Sequence, residues 1–132
     1  MKDNTLSIFG GNGFIGGNYC KIYPNCIIQK RNDRKPETNN ILYFISTVDN
    51  YNIFKDITLD VETNLKVLCE VLDHCKDNEN TINFVSSWFV YGDTKMPASE
   101  SSICFPKGFY SITKKAAEDL LISFCETYKQ KY

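Results

Sequence analysis

Apolar residues in this chain fall either into short solid runs or into stripes at helical spacing. The solid runs are "TLSIF" (5–9), "CIIQ" (26–29), "ILYFIS" (41–46) and "TINFVSS" (81–87). Runs of this length, apolar at their centres and rich in β-branched and aromatic residues, predict buried strands. Between the last two, "DVETNLKVLCEVLDHC" (60–75) sets Leu65, Leu68, Val71, Leu72 and Cys75 on one helical face. After Pro106 and Gly108, "YSITKKAAEDLLISFCETYK" (110–129) does the same with Ala117, Leu120, Leu121, Phe124 and Tyr128. A shorter helix is predicted over "FIGGNYCKIY" (14–23), where Pro24 stops it. The polar stretch "RNDRKPETNN" (31–40) reads as a loop. Buried strands alternating with helices predict an α/β fold, a parallel sheet covered on both faces. In such sheets ligands bind at the carboxyl ends of the strands.

Composition narrows the class. The chain has 132 residues, 42% apolar and 14% aromatic, enough for one domain with a real core. A net charge of −1 carries no mark of nucleic-acid binding. The opening "MKDNTLSIFGG" lacks the apolar core of a secretion signal, and "ILYFI" is too short to span a bilayer. A soluble cytoplasmic protein with no membrane partner is expected. The six cysteines, at 20, 26, 69, 75, 104 and 125, include no C-x-x-C pair, and His74 is the one histidine. No metal site is expected. Cys69 and Cys75 are expected as small core residues, the cysteines as reduced thiols, and His74 as a helix-end residue.

Five of the seven glycines lie in "SIFGGNGFIGG" (7–17), between the first strand and the first helix. In that context Gly11-x-Gly13-x-x-Gly16 fits the dinucleotide fingerprint, and Gly10-x-x-Gly13-x-x-Gly16 fits its close relative. One glycine permits the tight turn, one admits a pyrophosphate to the backbone, and one lets helix and strand pack closely. The helix start at Phe14 offers free N–H groups to the phosphates. The fold expected is thus a Rossmann-like three-layer α/β/α arrangement with a short parallel sheet, a single NAD(P)-binding domain over 1–132. The position that selects the dinucleotide falls on Lys30 or Arg31, with Arg34 close behind. Guanidinium and ammonium groups there favour the 2′-phosphate of NADP, while Asp33 keeps NAD as the alternative.

Tyr110 and Lys114 lie four residues apart, on one face of the last helix. A lysine so placed stabilises a phenolate and makes the tyrosine a workable proton donor or acceptor. Tyr51 and Lys55 share the spacing but lack the context, which is a long helix following a strand that ends in "SSWFVYG". Ser87, at that strand's carboxyl end, is placed to hydrogen-bond a reacting oxygen.

The segments "GGNGFIGG", "LDVETNLKVL", "FVSSWFVYGD", "PASE" and "YSITKKAAE", in this order, resemble the extended short-chain dehydrogenase/reductases. Within them the likeness is to the NAD(P)-dependent nucleotide-sugar epimerases, dehydratases and reductases, over nearly the whole chain. The resemblance implies hydride transfer between a nicotinamide and a sugar carbon. It implies Tyr110 as general acid/base, Lys114 on the nicotinamide ribose and Ser87 on the substrate oxygen. Gly10, Gly13, Phe14, Ile15 and Gly16 match the cofactor loop, and Asn64 matches the family's helix asparagine near the site. It also implies a homodimer, paired through the helices at 61–75 and 110–128.

Departures from the family pattern refine these expectations. Trp88 and Phe89 stand where dehydratases carry Asp-Glu, which leaves epimerase or ketoreductase chemistry. Ser46 and Thr47 replace an Ala-rich strand end beside the cofactor. A helix and a strand that normally follow the second strand are missing, so a narrower sheet is expected. The family's substrate-binding part lies beyond the length of this chain, so the alternative is a truncated, catalytically inactive dinucleotide-binding module.

Overall fold

The computed structural model describes residues 5–132. Its centre is a four-stranded, all-parallel sheet in the order β2-β1-β3-β4. The strands are β1 (Leu6–Phe9), β2 (Cys26–Ile28), β3 (Asn40–Tyr43) and β4 (Thr81–Phe84). Registers such as Ile8 opposite Ile28, Phe9 opposite Tyr43 and Tyr43 opposite Phe84 align their carboxyl ends. β2, β3 and β4 stop short of the ends of their runs, so Gln29, residues 44–46 and residues 85–87 are released as loops along that edge.

Helix α1 (Phe14–Ile22) covers one face, where the rings of Tyr19 and Phe44 meet at 5.9 Å. Helices α2 (Val67–Asp73) and α3 (Phe109–Tyr128) cover the other. Between them and the sheet lies the main core: Phe9, Ile41, Tyr43, Leu68, Val71, Leu72, Cys75, Ile82, Ala117, Leu121 and Cys125. Phe9, Tyr43 and Phe84 form a row of rings across it, each 5.9 Å from the next. The solid apolar runs and the helical stripes have thus become the two sides of one core.

Some expectations need correction. Leu120 and Tyr128 are exposed, at 42% and 41%: Leu120 lies mid-helix, on the side of α3 turned away from the core that Leu121 and Cys125 enter, and Tyr128 is the last residue of the helix. Cys69 is exposed rather than a core residue, whereas Cys75 is buried and its thiol is pushed up to about 11 by burial. His74 caps the C-terminus of α2 as expected. The helix predicted over 60–75 begins with a π-helical segment, Val61–Lys66, before α2.

The narrow sheet has a clear physical basis. Residues 29–39 carry the chain from β2 across β1 to β3 without a helix. Ser7, fully buried on β1, anchors that loop: its Oγ accepts hydrogen bonds from the N–H groups of Glu37 (3.0 Å) and Thr38 (2.8 Å). Arg34 ties the loop to α2, donating from Nε to Glu70 Oε2 at 2.7 Å. These bonds satisfy a backbone that a crossover helix would otherwise have satisfied internally. No helix among the described residues is long and apolar enough to cross a membrane.

Candidate active site

A cleft of about 730 Å³ opens at the carboxyl ends of β1, β2 and β3. It is lined by Gly10, Gly11, Asn12 and Gly13, by Gln29, Lys30, Arg31 and Arg34, by Ile45 and Ser46, and by Glu62, Thr63, Lys66, Val67 and Glu70. Gly10 has φ +82°, which only glycine adopts without strain, and turns the chain sharply off β1. A Cβ on Gly16 would lie 2.4 Å from the Gly10 carbonyl oxygen, so glycine there lets α1 close onto the loop. Gly13 is the N-cap of α1, and no side chain caps the first-turn N–H groups. Phe14 and Ile15, matched to the cofactor loop in sequence, point away: they are 88% and 60% exposed and outside the cleft lining.

The charges in the cleft are mostly paired. Lys66 meets Glu62 at 2.8 Å and Arg34 meets Glu70 at 2.7 Å. Arg34 also donates from Nη1 to the Arg31 carbonyl at 2.7 Å. Lys30 and Arg31 are exposed and have no ion pair among the described residues. The basic cluster expected at the end of β2 is therefore present, but Arg34 is committed to holding it in place.

Beyond β3 a buried polar clamp joins three elements. Asn64, in the π-helical segment, accepts from the Thr47 N–H at 2.8 Å and donates to Thr47 Oγ1 (2.8 Å) and Thr113 Oγ1 (2.9 Å). Thr47 Oγ1 donates to Asp60 Oδ1, which also receives Asn52 Nδ2. The π register, shown by the Val67 N–H donating to the Glu62 carbonyl, turns Asn64 inward and fully buries it. Asn64 and Thr47 thus spend their polar groups on each other, on Thr113 and on Asp60. Neighbouring Ser46 lines the cleft, with a buried Oγ that has no protein partner.

Thr113 carries the clamp onto α3, between Tyr110 and Lys114. Both of those side chains are buried on the face turned to the sheet. Asn50 fixes the start of α3, its Oδ1 accepting from the Ser111 N–H at 3.2 Å. Lys114 Nζ donates to the Val85 carbonyl at 2.8 Å and lies 4.1 Å from the centre of the Phe84 ring. Burial pulls its pKa down from 10.5 to about 8, partly offset by Glu118. Ser87 follows Val85 by two residues at the end of β4. Its Oγ accepts from the Phe89 N–H at 3.3 Å, which leaves its own O–H free to donate. The turn it starts, Trp88–Tyr91, sets the Phe89 ring edge-on to Tyr110 at 6.0 Å.

The fold therefore brings Gly10, Gly11, Gly13, Lys30, Arg31, Arg34 and Ser46 to one cleft, and Ser87, Tyr110 and Lys114 to the neighbouring strand end. Gln29, Asp60, Asn50 and Thr113 were not singled out by sequence. Only Gln29 had a local signal, a polar residue closing an apolar strand.

The family model for the "NAD dependent epimerase/dehydratase family" matches residues 41–132. No curated protein matches the sequence significantly. Solved structures do resemble the fold. RMD from Pseudomonas aeruginosa, complexed with NADPH, superposes with TM-score 0.83 at 20% identity, covering 96% of this chain and 52% of that one. The UDP-N-acetylglucosamine 4-epimerase from Methanobrevibacter ruminantium M1, in complex with UDP-N-acetylmuramic acid, gives 0.83 at 22% identity, covering 98% and 53%. The UDP-glucose 4-epimerase from Brucella ovis, in complex with NAD, gives 0.83 at 20%, covering 98% and 50%. The chain spans about half the length of these structures. With the family model matched over most of its residues, the chain belongs to the NAD dependent epimerase/dehydratase family.

Proposed function

We propose that this chain is the dinucleotide-binding and proton-transfer part of an NADP-dependent nucleotide-sugar epimerase or ketoreductase of the extended short-chain dehydrogenase/reductase type. The observation that carries the reading is the juxtaposition at one sheet edge. Tyr110 and Lys114 are buried, Lys114 bonded to the Val85 carbonyl two residues before Ser87, and this segment follows β4, the strand beside the β3 end that borders the glycine-turned cleft. Relatives in complex with NAD, NADPH and a UDP-sugar acid support the ligand classes.

The residues present fit a nicotinamide dinucleotide. Gly10 to Gly13 and the uncapped start of α1 suit its pyrophosphate. Unpaired Lys30 and Arg31 suit a 2′-phosphate, with Arg34 bracing Arg31. The partnerless Gln29 and Ser46 side chains line the same cleft. When bound, the dinucleotide supplies the hydride acceptor or donor. Tyr110 exchanges the proton at the substrate oxygen. Lys114, charged below about pH 8, stabilises the tyrosinate and holds the ribose. Ser87 donates its O–H to that oxygen. We place the protein in the cytoplasm, where its free thiols stay reduced, and as a homodimer.

A titration with NADPH and, separately, NADH, followed by Trp88 fluorescence, tests this. Trp88 is the one tryptophan and adjoins Ser87. Tighter binding of NADPH is expected. Tighter NADH binding overturns the NADP assignment, and no binding of either overturns the reading. Because the chain spans half the length of its structural relatives, a second reading is a dinucleotide-binding module without turnover. UDP-sugar turnover by this chain, lost in Tyr110→Phe, decides between the two.

A further inference from the structure

Gln29 directly follows β2, and its N–H donates to the carbonyl of Ile8, the neighbour of Phe9, at 2.9 Å. It is 4% exposed, yet neither its amide oxygen nor its amide nitrogen has a partner among the described residues. It also lines the 730 Å³ cleft. A buried carboxamide left unpaired is costly, so its position at a ligand cleft points to a ligand that pairs both atoms.

The chemistry of that ligand can be narrowed. A phosphate offers only acceptors and would leave Oε1 unpaired; an ammonium offers only donors and would leave Nε2 unpaired. A planar ring edge with an adjacent donor and acceptor satisfies both at once. Adenine provides this at its 6-amino group and N7, the edge that a Gln side chain pairs with in bidentate fashion. The apolar residues Phe9, Ile45 and Val67 line the cleft too and suit a flat ring. A ribose diol also offers donor and acceptor, but it belongs one or two residues further out, beside exposed Lys30 and Arg31.

We propose that Gln29 reads the adenine edge of the dinucleotide, with Oε1 accepting from the 6-amino group and Nε2 donating to N7. This rests on the dinucleotide reading above and names the group that selects the base. It is a specificity residue, with no part in the proton transfer.

The test compares the better-binding of NADPH and NADH with its hypoxanthine counterpart, in which a carbonyl replaces the 6-amino group. Wild type is expected to prefer the adenine form about tenfold or more, the value of one well-placed bidentate pair. Gln29→Leu is expected to lose that preference, binding the hypoxanthine form about as well as wild type does. The wild-type comparison needs no variant, so misfolding of Gln29→Leu cannot mask the result. Equal affinity of wild type for the two forms overturns the role of Gln29 and leaves the dinucleotide reading standing. An equal loss for both forms in Gln29→Leu assigns the amide to the ribose and overturns base reading. No binding of any dinucleotide overturns both.

Discussion

Lys114 is where burial and chemistry pull in opposite directions. Its ammonium is almost fully buried, bonded to one carbonyl and set over one ring, with the Glu118 carboxylate acting on it through its charge. Its pKa in the fold, about 8, lies below its unfolded value of 10.5. Between those values the unfolded chain binds more protons than the folded one, so stability rises with pH across that window. The cost of the buried charge is present in full below about pH 8 and is relieved by pH 10.5. Lys114→Met should therefore be more stable than wild type at neutral pH. Its advantage should shrink by roughly 2 kcal/mol between pH 8 and 10.5, read by denaturant unfolding at each pH. An advantage that stays constant over that window would show that Lys114 is not buried with its charge. The same variant should lose turnover. In wild type, turnover should fall as pH rises past about 8. The basic residues after β2 separate in a similar way. Arg31→Ala should weaken NADPH about tenfold and leave NADH unchanged, as expected for one lost charge-assisted contact to a phosphate. Arg34→Ala should weaken NADPH less and also loosen the loop from α2, because Arg34 acts through Glu70 and the Arg31 carbonyl. Calorimetric titration of both variants with both cofactors reads the difference.

At the scale of elements, the clamp around Asn64 and the closure of α1 hold the site together. Asn64→Ala removes three hydrogen bonds, one buried and two part-buried, and strands the Thr47 N–H. A loss of about 2–4 kcal/mol is expected, measured as a fall in the unfolding midpoint at unchanged slope. A loss below about 0.5 kcal/mol would mean that the clamp is not formed in solution. The two features differ in how visible they were in the sequence. The glycine loop and the Tyr110–Lys114 pair were legible because their geometry is local: a turn of a few residues, and one turn of helix. Asn64 was matched by resemblance as a cofactor residue, yet its amide is engaged by Thr47 and by Thr113, which lies 49 positions away. The Asn50 cap on α3 spans 61 positions and Arg34–Glu70 spans 36. No periodicity announces such pairs. The π register at Val61–Lys66 was illegible for a related reason: its apolar stripe reads as an ordinary helix, and the extra residue is absorbed by contacts made elsewhere. The loop that replaces a crossover helix was visible as polar composition, but the buried serine that anchors it sits inside an apolar strand run.

For the whole molecule, the outer sides of the helices carry exposed apolar side chains. Core residues of α3 face the sheet, while Ile112 and Leu120, about two turns apart, are 50% and 42% exposed. Val61, at the start of the π-helical segment, is 43% exposed, and Cys69 on α2 is exposed as well. Lone exposed apolar side chains need no explanation, but several on adjacent helices form a surface that a second copy can cover. A two-fold contact buries such a patch against itself and closes the assembly at a dimer. Replacing Leu120 by Glu would place two like charges across the axis in an apolar setting, which an isologous interface cannot relieve. Sedimentation velocity on wild type should show a dimer that dissociates on dilution. Leu120→Glu should sediment as a monomer and melt at the temperature of dilute, dissociated wild type, because Leu120 lies outside the core. A wild-type chain that remains monomeric at high concentration would remove the dimer. A dimer that survives Leu120→Glu would move the interface off α3. The outer edge of β4, beyond its bridge to Lys131, would then be the place to look. There Lys131 already pairs in parallel with Thr81, and Tyr132 lines a groove with Ile82, Phe84 and Leu121. Edge-to-edge pairing along it would use backbone bonds and be insensitive to a charge on α3.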